Sequence, residues 1–461
     1  MRALAVVGIL SPGLMDGKRR KKLVRCEDLS ALYRQSGDDP NQVLEWHKKG
    51  GGYLHPSLRA TQLPGRGWAL CLQPGAPLVP AGTVLVRSPP QLLWVAHESE
   101  SLEVAEPLAP GESLPKASAA LRRRLVEALK APVPDPFVQS MHPPDSLPLR
   151  LVAGSVSSEP SEDAKELLKG TSILNHTLSL RSKLLKAVKP ELELAKDKQA
   201  TWEACVWAQA VIMSRAFHVP KDSDRLLLIP IVDIANHAPT YALANAEFSD
   251  NKDGSMSMIA SRDITSEEEV CVCYGEHNNE QLLFCYGFVI PENPCQGMLC
   301  PLPFPDTPAR AELLHYTLAD LRRRHGRNPS AKAGPTLRRP SKAEPGSSEL
   351  LLALKIFDIS EEKAKDLLSL GSAERVTALE ANCQEWVMAL NFLEAWRAEI
   401  PWRRPAEPSS GASGAAAQLQ QEAEDLIEAA MKEIAAQLPL PLYLRFYCFT
   451  HQWNTLLRFL R

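Results

Sequence analysis

Tyr274-Gly275-Glu276-His277-Asn278-Asn279-Glu280-Gln281-Leu282-Leu283-Phe284-Cys285-Tyr286-Gly287-Phe288 is the stretch that decides how this chain is read. Two Tyr-Gly pairs stand twelve residues apart around a helical reading of Asn279 to Tyr286. Asn279 and Leu282-Leu283 lie between the pairs, Phe288 follows the second, and Asn293-Pro294 ends the stretch. One Tyr-Gly pair means nothing; two at this spacing with these neighbours form a specific pattern. A strand-like run from Val270 to Tyr274 leads in, and alternation puts Cys271 and Cys273 on one face of it.

Upstream, Asp233-Ile234-Ala235-Asn236-His237 follows a buried apolar run from Leu226 to Ile231, where Pro230 marks an irregular end. Taken alone, Asn beside His at a strand exit reads as a turn whose side chains satisfy nearby backbone groups. Further upstream stands Gly65-Arg66-Gly67-Trp68. A dinucleotide fingerprint needs a preceding strand, a following helix and a third glycine; here Leu70 takes that place and a strand follows. Paired glycines before a strand still let a ligand approach the backbone.

Around these segments, a short helix ends at Gly50-Gly51-Gly52, and β patterning runs from Trp68 to Arg87 with a turn at Pro74-Gly75. Residues 91–204 read as a helical insertion. Leu121 to Lys130, Ala164 to Leu168 and Leu180 to Ala200 have helical spacing, and Val152 to Asp163 reads as a loop. Thr201 to Phe217 is a helix closed off by Pro220. Asp250-Asn251-Lys252-Asp253-Gly254 joins two strands as a hairpin. Beyond residue 305 the pattern is helical: Arg310 to Arg324, Glu349 to Leu368, Ala373 to Ala398 and Gln418 to Leu438. Two segments rich in proline and small or basic residues, 326–348 and 405–417, read as mobile linkers.

The 461 residues leave room for two to four domains at ~100–200 residues each. With 44% apolar and 23% charged residues the chain is an ordinary globular one, and a net charge of −3 argues against a general nucleic-acid binder. No apolar run is long enough for a membrane span. The ten cysteines are dispersed through the chain and read as reduced thiols. Cys295 and Cys300 lack a second pair at zinc spacing, so no metal is expected. The N-terminus carries Lys18-Arg19-Arg20-Lys21-Lys22 and a single acid, Asp16, before Glu27. Three readings of residues 1–27 stand open: an organelle transit peptide, a nuclear-localisation-type cluster, or a solvated tail.

In this order and spacing the segments resemble SET-domain methyltransferases, and more narrowly the branch of the plant Rubisco large-subunit lysine methyltransferase. Trp46, Gly51-Gly52-Tyr53 and His55-Pro56-Ser57 resemble the lead-in to that branch's first strand. Glu166-Leu167-Leu168-Lys169-Gly170-Thr171 resembles part of its insertion, and Ser214-Arg215-Ala216-Phe217 the helix end that re-enters the core. The resemblance spans roughly residues 40–460 and implies an α+β fold. A SET domain over 28–300 would hold small β-sheets with a knot-like crossing and the helical insertion. An all-α substrate-binding domain would occupy 305–461.

The resemblance also implies a reaction: methyl transfer from S-adenosyl-L-methionine to a lysine of a protein substrate. Holding a lysine amine neutral at pH 7 costs about 4–5 kcal/mol from a reference pKa of ~10.4, and an apolar channel meets that need by desolvation. Tyr274 would be the catalytic tyrosine. Tyr286 would line the lysine channel and touch the cofactor, and Phe288 would pack on its adenine. Asn236 and His237 would bind the cofactor, the histidine partly through its backbone and not as a general base. Arg215 would meet the cofactor carboxylate, for which its fork geometry is suited. Backbone groups of Arg66, Gly67 and Trp68 would also contact the cofactor. Ser214 and Asp233 would lie beside the lysine channel; Asp233 also reads as a turn-stabilising carboxylate. Two departures from the branch stand out: Trp68 replaces an aliphatic residue, and Ser266-Glu267-Glu268 replaces a glycine-containing turn.

The expected partner is a protein substrate presenting a lysine, with no nucleic acid and no membrane, and a monomeric state. A plastid transit peptide would place the chain in the chloroplast and make Rubisco large subunit or chloroplast aldolase the leading substrates by analogy. Otherwise a cytoplasmic or nuclear target follows. A histidine acceptor and a catalytically silent SET-type binding module are the competing readings.

Overall fold

A computed structural model describes residues 41–437, apart from 65, 98–115, 132–134, 220–221, 296, 303–304, 306, 325–333, 341–344, 380–382 and 401–411. The basic segment 1–27, Gly65 and Pro220 lie outside the described residues, as do the greater part of linker 326–348 and residues 405–411 of the other.

Helix α1 (Asn41–Lys49) buries Val43, Leu44 and His47, and its Trp46 stacks on Phe137 at 5.9 Å. It stops at the glycine run. A Cβ on Gly52 would stand 2.1 Å from the His47 ring, so only glycine passes there. Strands β1 (Tyr53–Leu54), β2 (Leu58–Leu63), β3 (Gly67–Leu72), β4 (Val84–Ser88) and β5 (Trp94–His97) follow. β2 escapes a sequence reading because Leu-Arg-Ala-Thr-Gln-Leu has no strict alternation; it is an antiparallel partner of β3, from Leu58↔Leu72 to Leu63↔Gly67. In β3 the expected alternation also gives way: Ala69 to Leu72 are all buried, because both faces of the strand are covered.

The insertion begins later than residue 91. β5 belongs to a three-stranded sheet, pairing antiparallel with the later strand Asp222–Leu228, so the helices start after it. They are α2 (Lys116–Leu129), α3 (Pro136–Ser140), α4 (Pro148–Ala153), α5 (Glu162–Glu166), α6 (Ser172–Ala187), α7 (Lys189–Leu194) and α8 (Lys198–Arg215). α8 ends before Phe217, which pairs with Leu227 as the start of β6 (Phe217–Val219) against β7 (Asp222–Leu228). A 3-10 turn at Val232–Ile234 delivers the two-residue β8 (Asn236–His237). β9 (Ala246–Asp250) and β10 (Met256–Ala260) form the expected hairpin, and β11 (Glu269–Val272) comes next. β11 runs antiparallel to β3 and parallel to β8, with Cys271↔Asn236 and Val272↔His237. That double pairing joins three segments remote in sequence.

Helix α9 (Asn279–Tyr286) explains the repeated Tyr-Gly. Asn278 and Gln281 form a reciprocal capping box at its start, and Gly287 closes it in the left-handed region at φ 78°. Its Glu280 is buried and accepts from Ser172 N (2.9 Å) and Leu299 N (2.7 Å), tying α9 to the insertion and to the segment that follows.

The C-terminal part holds β12 (Met298–Leu299), α10 (Pro308–Arg324), β13 (Thr336–Leu337), α11 (Ser348–Asp358), α12 (Glu361–Leu368), α13 (Ser372–Ala378), α14 (Cys383–Glu399) and α15 (Ala412–Ala435). The span 349–368 is two helices, because the Ser360 side chain caps a new one at Lys363 N. Residues 334–340 of the expected linker include β13, whose Thr336 and Leu337 are buried; Glu349 holds both the Thr336 N–H and its hydroxyl. Helix α15 starts inside the other expected linker. Its Gln420 amide donates to the carbonyls of Glu166, Leu167 and Lys169, and Trp396 Nε1 donates to Gly170 O at 2.8 Å. One apolar cluster runs from Leu168 and Ile173 through Leu283 to Leu390 and Leu426, so insertion, core and C-terminal helices share it.

Candidate active site

A cavity of about 620 Å³ opens where β3 begins, α8 ends, β8 emerges and α9 ends. All eleven residues singled out from the sequence line it: Arg66, Gly67, Trp68, Ser214, Arg215, Asp233, Asn236, His237, Tyr274, Tyr286 and Phe288. They come from four stretches that only the β3–β11–β8 arrangement brings together. Sequence reasoning did not identify the opposite wall, formed by Gln42 and Val43 of α1, Pro136, Gln139 and Ser140 of α3, and His142.

Tyr274 is held at both ends. Its hydroxyl donates to Ala235 O at 2.7 Å, and its backbone N–H donates to His237 Nδ1 at 3.1 Å. Its ring lies 4.8 Å from Tyr286 and 5.0 Å from His237. Burial pushes the Tyr274 and Tyr286 phenols above the ordinary tyrosine range, so both stay protonated at neutral pH. With its proton committed to Ala235, the Tyr274 oxygen keeps its lone pairs for a partner in the cavity.

His237 is 5% exposed, and burial, with smaller effects from His277 and Arg66, lowers its pKa to about 4. It is neutral, and because Nδ1 accepts from Tyr274, the network assigns the proton to Nε2. That Nε2 is buried without a hydrogen-bond partner among the described residues. With its lone-pair nitrogen occupied, His237 is poorly placed to act as a base.

Arg215 is engaged within the protein through one of its nitrogens. Its Nη1 donates to Asp233 O at 3.1 Å and to Asp233 Oδ2 at 2.9 Å, while Nε is buried without a partner. The Asp233 side chain is 2% exposed, and Oδ1 also lacks a partner. Burial raises the Asp233 pKa while the Arg215 charge pulls it down. Ser214 donates its hydroxyl back to Ala210 O at 2.8 Å.

Arg66 uses its side chain as well as its backbone position: Nη2 donates to His237 O at 3.4 Å, and Nε lies 3.3 Å from Glu269 Oε2. Glu269 Oε1 accepts from Asn236 Nδ2 at 2.8 Å. Glu269 thus fixes both Arg66 and Asn236 from outside the cavity. The signal for it was present, since alternation places Glu269 on the same face of β11 as Cys271. The Asn236 amide also reaches Trp68 O at 3.4 Å, and Trp68 stands at the rim, 37% exposed.

Three cavity-lining residues therefore hold buried polar atoms without partners among the described residues: an N–H of Arg215, the N–H of His237 and a carboxylate oxygen of Asp233. They lie beside the tilted rings of Tyr274, Tyr286 and Phe288.

No family model matches the chain. The chain is 32% identical over 108 residues to the ribosomal lysine N-methyltransferase set10 of Schizosaccharomyces pombe, a match covering 22% of this chain and 19% of that protein. With SET domain-containing protein 4 of Mus musculus it is 29% identical over 136 residues, 27% of this chain and 30% of the other. The matched stretches thus span well under two thirds of these relatives. The structure superposes on a crystal structure of the SET domain of LSMT bound to lysine and AdoHcy, with a TM-score of 0.59 and 14% identity over 88% of this chain and 91% of that one. These likenesses are to SET-domain proteins over short stretches of sequence and to LSMT in fold. The chain's fold is that of the LSMT structures along most of its length.

Proposed function

We propose that the chain transfers a methyl group from S-adenosyl-L-methionine to a lysine side chain of a protein substrate. One observation carries this reading: the Tyr274 phenol, proton engaged by Ala235, faces a cavity ringed by Tyr286, Phe288, Asn236 and His237. The cofactor, when bound, supplies the electrophilic methyl group. Arg215 Nε and His237 Nε2 are the donors left to hold its carboxylate and its nucleoside, and the Phe288 ring offers an apolar face for the base. Tyr274 and Tyr286 wall a desolvated channel in which an amine sheds its proton more readily than in water. The Tyr274 oxygen, its proton engaged by Ala235, would accept a hydrogen bond from the amine and so orient it, a positioning effect. Asp233 stands in the same wall with its carboxylate paired to Arg215.

LSMT has been seen bound to lysine and AdoHcy, and in another structure, at a TM-score of 0.53 and 15% identity, to AdoMet. Similarity to ribosomal lysine N-methyltransferases extends the candidate targets beyond plastid proteins. The test is incubation of the purified chain with methyl-labelled cofactor and plastid, cytosolic and nuclear extracts. A labelled protein whose modified residue is lysine supports the proposal. Label on histidine moves the acceptor, and cofactor binding without label in any extract overturns methyl transfer.

A further inference from the structure

A second cavity, of about 380 Å³, opens between α2, α7 and the start of α8. Its wall carries Arg122 and Arg123, Lys130, Glu191, Lys196 and Cys205. Arg122 is 2% exposed, yet its Nη1 is buried without a hydrogen-bond partner among the described residues. In the same wall Glu191 Oε2 is also buried without a partner among the described residues. The two side chains feel each other electrostatically, and burial lowers the Arg122 pKa against that attraction. A buried guanidinium lacking an acceptor and a buried carboxylate oxygen lacking a donor are both unfavourable. One ligand relieves both only if it offers oxygens to Arg122 and an O–H to Glu191. Four cationic side chains line the cavity against Glu127 and Glu191, so the ligand is an anion.

We propose that this cavity binds a proton-bearing oxyanion, of which hydrogenphosphate is the type: Arg122 and Lys130 hold its bare oxygens, and Glu191 accepts from its P–OH. The assignment predicts its own selectivity. Sulfate carries no proton at neutral pH, and a phosphomonoester, with a second pKa of about 6, has lost its own by pH 8. Both would set a bare oxygen against the Glu191 carboxylate, a repulsive contact that rejects them.

The full chain is titrated calorimetrically at about pH 8 and matched ionic strength with inorganic phosphate, sulfate and O-phosphoserine. Phosphate is expected to bind at least ~10-fold more tightly than the other two. Glu191→Gln, whose amide can donate, closes the gap between phosphate and sulfate. Lys130→Ala, an exposed substitution that leaves the core intact, weakens phosphate by roughly threefold and lowers its salt dependence. Arg122→Met abolishes binding, with binding of S-adenosyl-L-methionine as the check that the chain is folded. No response to phosphate, equal affinity for sulfate or phosphoserine in the unmutated chain, or undiminished binding in Lys130→Ala and Arg122→Met overturns the proposal.

Discussion

The hydroxyl of Tyr274 and the carbonyl of Ala235 are joined by a 2.7 Å hydrogen bond that uses up the phenol's only proton. The bond links the exit of β11 to the turn before β8, so the pairing that builds the fold also orients the reacting oxygen. Tyr274→Phe removes that oxygen and leaves the ring contact with Tyr286. Methyl transfer is expected to fall by roughly 10²–10³-fold, the range for losing one oriented polar group at a reacting centre. Cofactor affinity, read by calorimetry, should change only slightly. A variant that keeps wild-type turnover would remove Tyr274 from the chemistry.

Glu269 predicts a different pattern of loss. It holds Asn236 and Arg66 from behind the cavity and offers the cofactor nothing itself. In Glu269→Ala both side chains lose their common anchor. Cofactor affinity should drop by roughly tenfold, the worth of one charge-assisted hydrogen bond, while the melting temperature changes little because the Arg66 pair is partly exposed. Equal affinity in mutant and wild type would show that Asn236 is oriented by β8 alone.

The turn before β11 is strained at a place the sequence already marked. Glu267, inside the Ser266-Glu267-Glu268 segment that stands in place of a glycine-containing turn, has φ 65°, a conformation that disfavours residues with a Cβ. Its side chain is exposed, so nothing is lost on removing it. Glu267→Gly is expected to raise stability by about 1 kcal/mol, the relief of the left-handed penalty less the added freedom of the unfolded chain. Urea unfolding would measure it, and an unchanged or lower midpoint would show the turn to be unstrained.

Much of the site was legible because its residues sit at the junctions of elements, where Tyr-Gly, Asn-His and Ser-Arg pairs stand out against apolar runs. Three things were not legible. β2 has no alternation to read, since the residues between Leu58 and Leu63 are all partly or fully accessible. The commitment of Arg215 to Asp233 depends on α8 and the 3-10 turn meeting in space, and their sequences carry no sign of that meeting. The wall from α1 and α3 is built of Gln42, Val43, Pro136 and Gln139, residues with no chemical signature that gain meaning only by facing Tyr274 across the cavity.

Acid stability should be governed by buried neutral histidines. His47 donates through Nε2 to Ser88 Oγ at 2.9 Å, its Nδ1 is buried without a partner, and burial lowers its pKa to about 4. His237 is lowered to about 4 as well. Both titrate near 6.5 when unfolded. Between those values the unfolded chain binds the extra protons, so stability is fully present above about pH 6.5 and is lost as pH falls towards 4. Each histidine contributes a slope of up to ~1.4 kcal/mol per pH unit within that window. His47→Gln keeps a donor for Ser88 and cannot titrate. Its unfolding free energy should be lower than wild type at about pH 7, where the fit of the imidazole between α1 and Gly52 is lost, and should fall less steeply towards about pH 4.5. Parallel urea midpoints for the two proteins across that range would show that His47 is not the group that senses acid.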